Sequence, residues 1–185
     1  MSNIYKEKPW LKNYPSHVPH QVEVPIRSVN DLFDEATEKW GNRTALIFYG
    51  KKITYKDLRE KVYRFATALH TMGIKKGDRV GLLLLNSPEH YIAFYAVIRL
   101  GAIVTPISPV YVASEVKHQL EDSGAEHVIC QDMLYDVIEK TELKLKNVIL
   151  TDIAESLPKL KRLMGKSILS TVYQKRAVNA VKVVW

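Results

Sequence analysis

The chain reads as an α/β protein, a mostly parallel sheet with helices on both faces. Three observations predict it. From residue 79 onward, short apolar runs alternate with helical patterns across short connections. The run 79–85 lacks strict period-2 polarity, as a strand buried on both faces does. Gly73, Gly101 and Gly124 each stand just past a helical pattern, where a glycine ends a helix most easily.

The elements follow in order. Residues 1–27 contain Pro9, Pro15, Pro19 and Pro25, and are expected to be an extended leader lying on a surface through Trp10, Leu11 and Tyr14. Residues 29–40 place Val29, Leu32, Phe33, Ala36 and Trp40 on one helical face, with Ser28 as cap and Asp31 completing a capping box. Residues 44–49 form a β-rich run, and Gly50-Lys51-Lys52 reads as the turn that returns it through Ile53. Thr54 and Asp57 cap the next helix, whose stripe is Leu58, Val62, Phe65, Ala66, Leu69 and Met72.

Beyond the strand 79–85, Ser87-Pro88-Glu89 supplies a cap, a proline suited to the first helical position and an acid suited to the helix dipole. The helix 88–100 is apolar nearly all round and is expected to be largely buried. Strands are predicted at 103–107, 127–130 and 148–150, and helices at 114–121 and 133–140. The domain organisation expected is a leader at 1–27, an α/β domain at 28–152 and a basic amphipathic tail at 153–185.

Composition limits the function. Hydrophobic residues make up 46% and charged residues 25% of the 185, which excludes wholesale disorder. The net charge of +7 is confined to residues 140–185, which carry ten basic and three acidic side chains; the first 139 residues are neutral. A nucleic-acid-binding fold carries its basic face on the domain itself, so nucleic acid is not an expected partner. Cys130 is the only cysteine, which excludes an intrachain disulfide and marks it as a small buried hydrophobe. The longest apolar run, 91–98, is too short to span a membrane, and the first residues lack the apolar core of a signal peptide, so a cytoplasmic protein is expected.

Chemistry is hard to place. There is no GxGxxG, no GxxxxGK[ST], no HExxH and no GxSxG. Gly73, Gly77 and Gly81 serve a helix end, a turn and a strand. His17, His20, His70, His90, His118 and His127 are scattered; His70 and His118 are expected at or near the surface, and Glu121 and Asp122 solvated. Asn86, Ser87 and Thr105 are expected at strand ends, where α/β folds place ligands, but turn chemistry and capping account for them. No residue is assigned as catalytic, cofactor-binding or metal-binding.

Several motifs do carry a resemblance. Ile53-Thr54-Tyr55-Lys56-Asp57-Leu58 resembles the first core motif of the AMP-forming adenylating ligases, the superfamily of acyl-CoA synthetases, peptide-synthetase adenylation domains and luciferases. The segment from Gly73 through Asp78-Arg79-Val80 to Asn86-Ser87-Pro88-Glu89 looks like the stretch that follows. Leu100-Gly101-Ala102-Ile103-Val104-Thr105-Pro106-Ile107-Ser108-Pro109 resembles the second core motif, and Glu115 through Gly124 continues it. The leader, Pro9-Trp10-Leu11-Lys12-Asn13-Tyr14-Pro15 with Val18-Pro19, is similar to the opening of long-chain fatty-acid CoA ligases. Ser108 departs from the asparagine common among fatty-acyl members.

The resemblance implies the first part of an acyl-CoA synthetase N-terminal domain. In the complete enzyme it implies ATP and a fatty acid forming an acyl-adenylate, with Mg²⁺ assisting, and CoA then forming the thioester. The family's Ser/Thr/Gly-rich phosphate loop and its C-terminal lysine are not among these 185 residues, so the isolated chain is expected not to adenylate. The competing expectation is a non-enzymatic binding or homodimerisation module, with contact through Val178, Val181, Val183, Val184 and Trp185, and weak membrane contact through the basic tail.

Overall fold

The computed structural model describes residues 3–158 and 181–182. The basic tail and the terminal apolar cluster fall outside the described residues, except for residues 153–158 and the backbone of 181–182.

The leader holds two short turns of helix, α1 (Ile4–Glu7) and a 3-10 turn at Pro9–Asn13, where a run of extended chain is expected from its prolines. Asn3 caps the first, and Pro9 opens the second, a position where its missing N–H costs nothing. Trp10 packs edge-on to Tyr5 and remains 39% exposed.

Helix α2 (Val29–Lys39) and helix α3 (Tyr55–Thr71) both begin with the expected capping boxes, Ser28 with Asp31 and Thr54 with Asp57. Between them lies an antiparallel hairpin of β1 (Thr44–Phe48) and β2 (Lys51–Thr54). The turn is Tyr49-Gly50, not Gly50-Lys51-Lys52. Both turn residues have positive φ, 48° and 88°, the two-residue geometry whose twist matches paired strands, so Lys51 and Lys52 pair within β2.

The main sheet is wholly parallel among the described residues, in the order β4-β3-β5-β6-β7. Its strands are β3 (Arg79–Leu83), β4 (Ile103–Ile107), β5 (His127–Gln131), β6 (Asn147–Thr151) and a two-residue β7 (Val181–Lys182). Strand β3 ends at Leu83, two residues short of the run that predicts it. The connections are α4 (Pro88–Arg99), α5 (Ala113–Ser123), and a 3-10 turn (Asp132–Leu134) running into α6 (Tyr135–Glu139), which replaces the single helix expected over 133–140.

Period-2 alternation divides the buried strand residues between two cores. Val80, Leu82, Ile129 and Ile149 join the side chains of α2, α3 and α4. Leu83, Val128, Cys130 and Leu150 join those of α5 and α6. Helices therefore cover both faces, as the sequence predicts. Gly81 marks the tightest point: a Cβ there would lie 2.9 Å from Leu120 Cδ2 and 3.0 Å from Ile107 Cδ1, so any other residue would push those side-chain ends aside where α5 lies against β3. Burial pushes the Cys130 thiol far above its ordinary range, making it inert packing.

Helix α2 is clamped to α4 by charge. Arg99 donates to both oxygens of Asp34, at 2.8 and 2.5 Å, and the Tyr63 hydroxyl donates to Asp34 at 3.0 Å. The Arg99 hydrogen bond holds the Asp34 carboxyl below the usual carboxylate range.

Candidate functional site

Ligands of open parallel sheets gather at the carboxyl ends of the strands, and that end of this sheet is buried and polar. Ser87, Glu89, Gln131, Thr151 and Ser156 are all buried there or in the turns that follow. Glu89 stands in the first turn of α4, where the helix dipole favours an acid, and is 1% exposed. The Ser156 hydroxyl donates to Glu89 Oε1, which ties the 3-10 turn after β6 (Ile153–Ser156) to the start of α4. Asp152 caps that turn through Ala154 N at 2.7 Å. Gln131 Nε2 donates to the Thr151 carbonyl at 3.0 Å and fixes the end of β5 against β6.

Two oxygens in this layer, Ser87 Oγ and Gln131 Oε1, are buried with no partner among the described residues. Ser87 occupies the N-cap position of α4, but its side chain makes no capping bond, contrary to the sequence expectation. Asn86 is exposed beyond the end of β3. Thr105 is not at a strand end: it lies inside β4, opposite Gly81. The structure thus brings Ser87 into the polar layer and leaves Asn86 and Thr105 out of it. His90, one turn into α4, is half-buried, and burial pushes its pKa below the ordinary value against a bond to the Leu84 backbone. His70 and His118 are exposed, as are Glu121 and Asp122.

Glu89, Gln131 and Ser156 escape a sequence reading that looks for motifs. A signal for Glu89 exists: residues 89, 92, 93 and 96 share one helical face, and the other three are Ile92, Ala93 and Ala96. A lone acid on an apolar face demands a buried partner. Gln131 and Ser156 carry no comparable local signal, because their partners are 20 and 67 residues away.

The arrangement is a clasp. No base adjoins the Ser87 hydroxyl to activate it, and no group of three or more His, Cys, Asp or Glu side chains among the described residues could hold a metal ion. The loops leaving these strand ends contain no glycine-rich cradle that would admit a triphosphate. The residues described at this end do not fit Mg²⁺-ATP.

The amino end of the sheet is organised differently. Asn147 Nδ2 donates to the Met72 carbonyl at 3.3 Å and lies 2.9 Å from His127 Nδ1. His127 Nε2 faces Asp78 at 3.9 Å, and Asp78 accepts from Lys75 N at 2.9 Å. Burial is the chief cause of a lowered His127 pKa; nearby Lys146 adds to it, while Asp78 and Glu126 oppose it.

The AMP-binding enzyme family matches residues 33–179. The chain belongs to that family. The long-chain-fatty-acid–CoA ligase of Bacillus subtilis is 31% identical over 178 residues, covering 95% of this chain and 31% of that protein. The enzyme of the same name from Yersinia pestis is 36% identical over 156 residues, covering 82% of this chain and 28% of its own length. A crystal structure of a long-chain-fatty-acid-CoA ligase from Archaeoglobus fulgidus superposes with a TM-score of 0.67 at 26% identity, over 74% of this chain and 30% of that one. The chain spans about a third of the length of the relatives it matches. Among the described residues of this AMP-binding family member, no helix is long and apolar enough to cross a membrane.

Proposed function

We propose that this chain is the N-terminal part of a long-chain fatty-acid CoA ligase and that the 185 residues alone do not form acyl-adenylate. One observation carries the first half of the reading: identity to a fatty-acid CoA ligase extends over 95% of the chain. In the complete enzyme, ATP and a fatty acid give the adenylate and pyrophosphate, and CoA takes the acyl group as a thioester. ATP, Mg²⁺, CoA and the fatty acid are its ligands, and the cytoplasm its compartment. The role of the part described is to hold a rigid sheet, with clasped strand ends, against which the remaining two thirds of such an enzyme close. The second half rests on chemistry. Transfer of a nucleotidyl group needs preorganised donors around the phosphates, and the sequence carries no Ser/Thr/Gly-rich run of the kind that forms a phosphate loop.

Fatty-acid-dependent ATP–pyrophosphate exchange tests it. The purified chain is expected to show none above background, and exchange is expected when the missing two thirds of a relative is supplied as a separate polypeptide. Robust exchange by the chain alone overturns the second half.

A binding or homodimerisation role has its own support. Val22, Val24 and Ile26 are 73%, 80% and 105% exposed, an alternating apolar run with nothing against it among the described residues. Light scattering decides: a strict monomer at working concentration removes self-association. Sedimentation with anionic vesicles tests the basic tail, and no binding at low salt removes membrane contact.

A further inference from the structure

We propose that a recess between α2 and α3 binds phosphate, as inorganic pyrophosphate or as a phosphate ester. It has a volume of about 600 Å³ and is lined by the last turn of α2, the loop that leaves it and the first turns of α3. Four cationic side chains face it, Lys39, Arg43, Lys56 and Arg59, against the single carboxylate of Glu38. Glu38 engages only Arg59, at 3.4 Å. Among the described residues Lys39, Arg43 and Lys56 make no ion pair.

The placement of these cations has a cost that a ligand would offset. Lys39 suits the C-terminal turn of α2, where the helix dipole welcomes a cation. Lys56 does not: it stands in the first turn of α3, at the positive end of that helix. Arg59 follows on the next position facing the recess. Mutual repulsion between uncompensated cations is relieved by an anion with several oxygens, and arginine forks and lysine ammonium groups are the side chains that bind phosphate.

The floor is preorganised. Lys56 N donates to the Gly41 carbonyl at 2.9 Å, Tyr55 N to the Arg43 carbonyl at 3.0 Å, and Arg43 N to the Trp40 carbonyl at 2.7 Å. These bonds pin the loop to the start of α3 before any ligand arrives. A Cβ on Gly41 would meet the Thr37 carbonyl at 3.2 Å, a tight contact that a side chain there would have to relieve by a small shift of the loop. Trp40 adds an exposed indole at the rim, with Lys39 Nζ 5.0 Å from its ring centre. The recess lies apart from the polar layer at the strand ends, so this proposal stands whether or not the ligase reading does.

Trp40 reports on the site once Trp10 and Trp185 are replaced by phenylalanine. Its fluorescence is titrated in the full chain with inorganic pyrophosphate, with phosphatidylglycerol vesicles and with phosphatidylcholine vesicles. A saturable response to pyrophosphate, weakened at least about tenfold in Arg43→Glu/Lys56→Glu, supports a free phosphate ligand. A response to phosphatidylglycerol alone, with the same loss in the variant, supports a lipid headgroup as the source. Lys56→Gln gives a milder second variant, and circular dichroism confirms that each variant is folded. No response to either phosphate source, or a response unchanged by both variants, overturns the proposal.

Discussion

Where the strands of the sheet begin, Asn147 meets both His127 and the Met72 carbonyl, and Asp78 takes the Lys75 N–H; where the strands end, Ser87 and Gln131 each bury an oxygen that no described group meets. Both ends are polar, the amino end part-buried around a buried His127 and the carboxyl end buried. The difference lies in satisfaction. A buried polar group with its partner stabilises modestly, whereas one without a partner forgoes its hydration for nothing. The amino end is thus finished within these residues, and the carboxyl end, where this class of fold places ligands, is not.

Breaking the finished end should cost most. Arg99, at the foot of α4, answers both oxygens of Asp34; Arg99→Met leaves that part-exposed carboxylate only the Tyr63 hydroxyl and is expected to lower unfolding stability by about 1–2 kcal/mol in urea titration. Asn147→Ala removes the partner of the Met72 carbonyl and of His127 Nδ1 together, for a loss of about 2 kcal/mol.

The next effect depends on pH. The folded-state pKa of His127 is depressed below its ordinary 6.5, so its contribution is present above that pH and is lost as pH falls through the lower folded value. His90 acts in the same direction. Thermal midpoints should fall on acidification below about pH 6.5, and His127→Gln should flatten the slope; an unchanged slope would refute the assignment.

The smallest effects sharpen the contrast between two hydroxyls in one role. Thr54 Oγ1 accepts from Asp57 N at 3.1 Å, and Thr54→Ala should cost about 1 kcal/mol. Ser87 holds the same position on α4 and caps nothing, so Ser87→Ala should change stability by less than about 0.5 kcal/mol in the isolated chain.

These particulars show how much was legible in the sequence. Both capping boxes, the proline start of α4, the parallel alternation and the burial of Cys130 follow from local pattern. The hairpin turn begins one residue earlier than the sequence suggests, at Tyr49, because Tyr49 takes a positive φ that its identity does not advertise. The 3-10 start before α6 and the helical turns of the leader are short enough that tertiary context decides them. The polar clasp was not legible because its bonds join residues far apart, such as Glu89 and Ser156, whose types alone suggest a dipole partner and a loop hydroxyl.

The strand order carries one more consequence, for synthesis. Strands β3, β4, β5 and β6 end at residues 83, 107, 131 and 151, and each later strand pairs at an edge of the sheet already present. At roughly 5–20 residues per second, a ribosome delivers a new strand every few seconds. The sheet can therefore grow outward from β3 as the chain emerges, first to one side with β4, then to the other with β5 and β6. None of the described strands has to be inserted between two already paired, so this part of the sheet can assemble in the order in which it is made.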